Sequence, residues 1–173
     1  MVWDMRKLKE LISLLSIYRL LLQLLIGYWL VSGIFRKFLK AAKVQPGPIK
    51  ERVKTALRTV GLRKLAIENM LKVFAHETGG FTSRLLKEQN NLCGMRHPVK
   101  RETYSKGGKN GYAYYDSIED SALDFVEWLK YNGCTIEELN RMSASQLVIF
   151  MKRKMYFEDS LVNYLNAVRS WDV

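Results

Sequence analysis

Residues 11–35, LISLLSIYRLLLQLLIGYWLVSGIF, form the most apolar run of the chain, and any fold must first find a place for it. As a helix it is long enough to cross a hydrocarbon core of about 30 Å. Tyr28 and Trp29 are of the type that settles at a membrane interface. Arg19 and Gln23 resist a simple span, because an arginine at the bilayer centre costs at least about 2.5 kcal/mol. At about 100° per residue, Lys9, Ser13, Ser16, Arg19, Gln23 and Gly27 fall on one side, giving a narrow polar stripe and a broad apolar face. Three placements fit: a span with an interior-facing stripe, an interfacial helix, or a helix packed on partner chains. The run exceeds the apolar core of a cleavable signal, and no clear A-x-A site follows it. Arg6, Lys7 and Lys9 precede it, whereas Arg36, Lys37, Lys40 and Lys43 follow, a bias toward a cytoplasmic C-terminal side.

VQPGPI, residues 44–49, is the one Pro/Gly cluster and the natural linker. It divides the chain into an N-terminal apolar helix with a basic linker (1–43) and a second domain (44–173). With 48% hydrophobic residues and 12% aromatics in 173 residues, that domain can build a real core. The formal net charge of +11 attracts anions: nucleic acid, phospholipid headgroups or the anionic polymers of a bacterial wall. Nucleic acid is disfavoured, because the aromatics cluster with acids around 112–128 instead of interleaving with lysines.

Two cysteines, Cys93 and Cys134, are too few for a disulfide scaffold or an all-cysteine metal site. They read as two buried thiols or one disulfide. HETGG, residues 76–80, begins like the zinc-peptidase pattern H-E-x-x-H, but Gly80 stands where the second ligand belongs. No metal and no organic cofactor is expected.

The second domain is mostly helical in pattern. Pro48 opens a helix running to about Val60, and Gly61 breaks it. LRKLAIENMLKVFAHE repeats apolar residues at spacings of three and four, which predicts a second helix ending at Glu77. RETY and YAYY are short β-prone segments around SKGGKNG, whose Asn-Gly pair predicts a small hairpin. SIEDSALDFVEWLKY, residues 117–131, carries a serine cap and acids in its first turn. TIEELNRM, SASQLVIFMKRK and FEDSLVNYLNAVRSW supply further short helices.

This layout brings Glu77 to the edge of a cleft between a helical lobe and a β-flap. Two readings of the residue stand, a solvated helix-end acid and a general acid. The second suits glycoside hydrolysis, where a leaving oxygen is protonated by a carboxyl kept neutral in an apolar setting, here near Phe74 and Phe81.

AHETGGFTSRL, NNLCGM and YYDSIEDSALDFVEWL, in this order and spacing, resemble the glucosaminidase family of bacterial and phage peptidoglycan hydrolases. The family's helix-ending glutamate with a small residue and Gly is matched by Glu77, Thr78 and Gly79. Its Asn-Asn-x-x-Gly element is matched by Asn90, Asn91 and Gly94, and its Tyr-x-Ser element by Tyr115, Ser117, Glu119 and Ser121. The final YFEDSLVNYLNAVRSW is similar to the family's closing tyrosine-containing helix, so the likeness spans roughly 48–171. Cys93 departs from it, standing where the family usually has an aromatic.

The resemblance implies a mainly α, lysozyme-like α+β fold: a helical lobe with a small β-hairpin flap, here preceded by the long apolar helix. It implies a cut at the β-1,4 bond after N-acetylglucosamine in peptidoglycan glycan strands. Glu77 would be the general acid. Glu102, the lone acid between Glu88 and Asp116, would be either a second catalytic group or a surface ion-pair partner. Tyr115 would contact the sugar or stabilise positive charge. Tyr112 and Tyr114 would offer stacking faces, one of them being core, and Asn91 would tie its loop to the backbone or contact sugar. Membrane or virion association through residues 11–35 is expected, with action on the cell wall. The rival readings are an inactive lysozyme-like assembly protein, and a muramidase or lytic transglycosylase using the same acid.

Overall fold

The computed structural model describes residues 48–173. The apolar run at 11–35, its orientation and the domain boundary at residue 44 lie outside the described residues.

Seven helices and one hairpin follow in chain order among these residues. Helix α1 spans Ile49–Thr59, α2 Lys64–Glu77, α3 Arg84–Gln89, α4 Ile118–Tyr131, α5 Ile136–Leu139, α6 Ala144–Arg153 and α7 Leu161–Arg169. Strands β1 (Gly107–Lys109) and β2 (Tyr112–Tyr114) pair antiparallel between α3 and α4. This is the mainly helical, lysozyme-like arrangement with a single small flap.

Most helix starts follow local chemistry. The side chains of Ser83, Ser117 and Ser160 accept N–H bonds at the starts of α3, α4 and α7. Thr135 with Glu138, and Ser143 with Gln146, form reciprocal capping boxes on α5 and α6. Helix α2 starts without a side-chain cap. A distant residue organises the turn before it: Asn140 Oδ1 accepts the Arg63 N–H at 2.7 Å, and Asn140 Nδ2 donates to Gly61 O at 3.0 Å.

The core is built around α2, whose Met70, Leu71, Val73 and Phe74 are fully buried. Helix α2 packs against α1, α6 and α7, and α1 lies along α4. Phe74 meets Phe125 of α4 edge-on at 5.4 Å, and Arg52 of α1 grips Glu119 of α4 with two bonds of 2.7 and 2.8 Å. Cys93 and Cys134 are both free and buried.

The hairpin turns at Asn110 and Gly111, both at positive φ, as a two-residue turn matched to strand twist requires. Its first strand differs from expectation. Gly107–Lys109 pairs with Tyr112–Tyr114, while RETY forms a loop. The cause is Asp124, a fully buried carboxylate in the middle of α4. Arg101 donates to both of its oxygens (2.8 and 2.9 Å), Thr103 Oγ1 donates at 2.7 Å and the Tyr104 N–H at 3.2 Å. The Arg101 guanidinium, the Thr103 hydroxyl and the Tyr104 N–H are committed to this carboxylate, and RETY takes no part in the ladder.

The tyrosine expectation is also corrected. Tyr112 and Tyr114 are two residues apart and share one face, so both are exposed, at 41% and 37%. Ala113 and Tyr115 take the core face instead.

Two helix ends decide what borders the cleft. After Glu77, Gly79 at positive φ donates to His76 O (3.3 Å) and Gly80 to Ala75 O (2.8 Å), a Schellman stop. A side chain at Gly80 would lie only 3.1 Å from the Trp171 ring. Helix α6 stops in the same way, with Met155 bonding Lys152 O and Tyr156 bonding Met151 O, each at 3.0 Å. There the left-handed residue is Met155, at φ 54 and 89% exposed.

Two predictions follow from these features. Asp124→Asn is expected to cost about 3–5 kcal/mol in urea unfolding, because it strands a nearly buried guanidinium. In the wild type, burial pulls the Asp124 carboxyl up, but the bonds from Arg101 and Thr103 and the Arg101 charge outweigh it and hold it below its ordinary value. Its contribution is therefore complete above the unfolded-state pKa and is lost as pH falls through the folded one. A loss under about 1 kcal/mol would deny Asp124 this role. Met155→Gly is expected to raise the unfolding midpoint by relieving about 1 kcal/mol of left-handed strain; a lower midpoint would contradict that.

Candidate active site

Glu77 ends α2 at the wall of an open cleft of about 610 Å³. Cys93 to Arg96 border it beside Glu77, Tyr112 comes from the flap, Trp128 from α4, and Lys154 to Glu158 from the loop after α6. The Schellman stop leaves the Glu77 side chain beside the cleft while its backbone is still helical.

Burial raises the Glu77 carboxyl above its ordinary value, and a hydrogen bond from Tyr164 opposes part of that rise. The Tyr164 hydroxyl donates to Glu77 Oε1. Tyr164 is itself buried, stacked on Phe157 at 3.7 Å between centroids and met edge-on by His76 at 4.5 Å. Desolvation and the neighbouring Glu77 push the Tyr164 phenol well up, so it stays a donor. Burial pulls the His76 imidazole down, with Asp159 opposing. The setting of Glu77 thus comes from the aromatic stack on α7 and the loop before it. Phe74 supplies core beneath, and Phe81 is only partly buried.

Tyr156 donates its hydroxyl to Cys93 O, and its ring meets Trp128 at 4.9 Å, which ties the loop after α6 to the floor of the cleft. Burial drives the Cys93 thiol well above its ordinary pKa, so it is no nucleophile.

The remaining expected residues divide sharply. Tyr112 lines the cleft with Glu77, lying over Gly94. Tyr114 lies over Gly107 on the flap, outside the cleft lining. Tyr115 is buried and donates its hydroxyl to Asp124 Oδ2 at 2.9 Å, which turns it into the core and away from sugar. Asn91 is also buried. Its amide donates to Met95 O and Ala113 O, both at 2.9 Å, and its Oδ1 accepts the N–H groups of Cys93 and Met95 at 3.2 and 3.1 Å. Asn91 therefore fixes the cleft-side loop and the flap to each other.

Glu102 is exposed and outside the cleft lining; Lys130 feels its charge. The carboxylate that does share the cleft with Glu77 is Glu158. Neither Glu158 nor Tyr164 is legible from a local motif. A tyrosine in the closing helix was the single available signal, and its partner lies 87 residues earlier.

Two solved structures are similar to the chain. One is a type VI secretion system effector-immunity complex from Pseudomonas protegens, with 21% identity and a TM-score of 0.50 over 69% of this chain and 85% of that one. The other is a C-terminally truncated glycoside hydrolase domain of FlgJ from Salmonella typhimurium, with 19% identity and a TM-score of 0.49 over 70% and 89%. At 21% identity the first likeness concerns the fold alone. A comparison with curated proteins finds no match. The family model named Glucosaminidase, described as mannosyl-glycoprotein endo-beta-N-acetylglucosaminidase, matches residues 53–171, well over half the chain. The chain thus belongs to the Glucosaminidase family and carries a glycoside hydrolase domain of lysozyme-like fold.

Proposed function

We propose that the protein hydrolyses peptidoglycan at the β-1,4 bond after N-acetylglucosamine, with Glu77 as the general acid. The observation that carries this is the Glu77 carboxyl itself, raised by burial, bordering an open cleft and held by Tyr164. A carboxyl whose pKa burial has raised holds its proton more tightly than an exposed one and can pass it to the glycosidic oxygen as the bond breaks. The charge of +11 favours approach to an anionic wall.

Tyr112 offers a stacking face inside the cleft, and Tyr114 extends that face along the flap. Asn91 and Tyr115 act by holding the flap in place. Glu102 lies outside the cleft lining. The second role falls to the substrate's own acetamido group, a known exception to the two-carboxylate scheme, and Glu158, the other acid in the lining, is the alternative base. Residues 11–35 serve to attach the domain to a membrane or a particle beside the wall. A muramidase or lytic transglycosylase would use the same acid on the neighbouring bond, and the product ends distinguish them.

The test is a digest of purified sacculi by the full chain, with new reducing ends identified by mass spectrometry. N-acetylglucosamine ends are expected; muramic ends would overturn the bond choice, and no release would favour a non-catalytic assembly protein. Glu77→Gln should lower activity by about 10²–10⁴-fold while remaining folded. Glu102→Gln should stay active. The same Glu77→Gln change should be the more stable protein at neutral pH. A buried carboxyl with a raised pKa loses stability as pH rises from its unfolded to its folded pKa, and glutamine does not.

Tyr164→Phe removes the one bond that lowers the Glu77 pKa. The alkaline limb of the pH–rate profile should therefore move to higher pH. A limb that stays in place or moves down would separate Tyr164 from control of the acid.

A further inference from the structure

Five charged side chains line the cleft: Glu77, Arg96, Arg101, Lys154 and Glu158. Two of them are already committed. Glu77 is half-buried against Tyr164, and Arg101 is spent on Asp124 through two bonds, with side-chain exposures of 6% and 0%. Of the three that stay open, two are cations. Arg96 and Lys154 are exposed, and neither makes an ion pair or a side-chain hydrogen bond among the described residues. The Lys154 ammonium lies 5.6 Å from the Phe150 ring, a weak exposed contact. Among the described residues that line the cleft, Glu158 is the acid left open beside them.

The loop that carries Lys154 is built with care. Lys152 donates to the carbonyls of Glu158 and Asp159 at 3.0 and 2.7 Å, curling residues 157–159 back toward α6. The left-handed Met155 then places both Lys154 and its own exposed side chain at the cleft edge. Arg96 approaches from the separate loop after Gly94. Two unpaired cations thus reach one groove from two elements, beside a Tyr112 face suited to a sugar ring.

We infer that Arg96 and Lys154 form a carboxylate-recognising subsite that makes the cleft selective for acidic glycan over neutral glycan of the same backbone. The inference rests on the reading of this cleft as a glycan site. A neutral oligosaccharide leaves both cations solvated, whereas a carboxylate carried on the strand exchanges water for charge-assisted bonds. That carboxylate has two sources in wall glycan, which exclude each other on one sugar: the attached peptide's own carboxylates, and the lactyl carboxylate of muramic acid, which is free only where no peptide is attached to it.

The experiment uses the full chain and four soluble substrates: peptide-bearing glycan strands, strands stripped of peptide, and each of these with its carboxylates converted to methylamides. Wild type should favour the acidic strands over the amidated ones by about tenfold in kcat/KM, less at raised salt. The double variant Arg96→Gln, Lys154→Gln should lose most of that preference, with the change in KM and not in kcat. A preference within the stripped pair assigns the lactyl carboxylate, and a preference confined to the peptide-bearing pair assigns the peptide; either supports the subsite. Equal wild-type rates on acidic and amidated strands overturn it, as does a double variant that keeps the wild-type ratio. Cleavage of no strand at all instead overturns the hydrolase reading on which the inference rests. Both side chains are exposed, so matching unfolding midpoints for variant and wild type verify that any loss is one of recognition.

Discussion

One buried carboxylate sets the position of everything opposite Glu77. Asp124 sits on the inward face of α4 and receives the guanidinium of Arg101, the hydroxyls of Thr103 and Tyr115 and the N–H of Tyr104. Those donors come from both sides of the hairpin, so the flap is clamped at its base and free at its tip. A charge without partners at that depth would cost several kcal/mol, and the donors are what make it tolerable. Helix α4 passes the constraint on. It is fixed to α1 by the Arg52–Glu119 pair and to α2 by the Phe74–Phe125 contact, and α2 ends in Glu77. Flap and acid are therefore held in register through the core, with no direct bond between them.

The acid is governed by opposing effects. Burial favours the neutral carboxyl, and the C-terminal end of a helix, being partially negative, does so too. The Tyr164 hydroxyl favours the anion. The balance leaves a carboxyl that holds its proton more tightly than usual and can still release it. For a group proposed to donate a proton and then recover it, such a balance is more useful than an extreme shift.

What could be read from the sequence was what short-range chemistry dictates. The serine caps, the Asn110–Gly111 turn and the glycines after Glu77 each act within a few residues, and the helices and hairpin they punctuate lie close to where they were expected. Helix α3 was less visible because six residues carry little periodicity; only Ser83 and the left-handed Asn90 mark its ends. Of the residues expected at the site, Glu77 and Tyr112 line the cleft, whereas the pairings that hold the cleft together were obscure. Tyr164 reaches Glu77 across 87 residues and Arg101 reaches Asp124 across 23, and no local pattern records either pairing. RETY looked like a strand because its propensity is right, but side-chain bonds to Asp124 override propensity. Tyr115 looked like a site residue by its motif and is used to hold the flap.

These constraints also bear on whether the domain works as a catalyst or only as a scaffold. A scaffold gains nothing from a half-buried glutamate at the end of its central helix, since glutamine would keep the Tyr164 bond without the desolvation. It gains nothing from a left-handed, exposed Met155, where glycine would relieve the strain. Nor does it need two open cations in one groove. The first two carry a cost in the free protein, and all three border the same cleft. Local rules tend to be broken at functional sites, where the return comes from a ligand and not from folding. Such departures around one groove, in a domain where five of the seven described helices start on a side-chain cap, favour a cleft shaped for substrate.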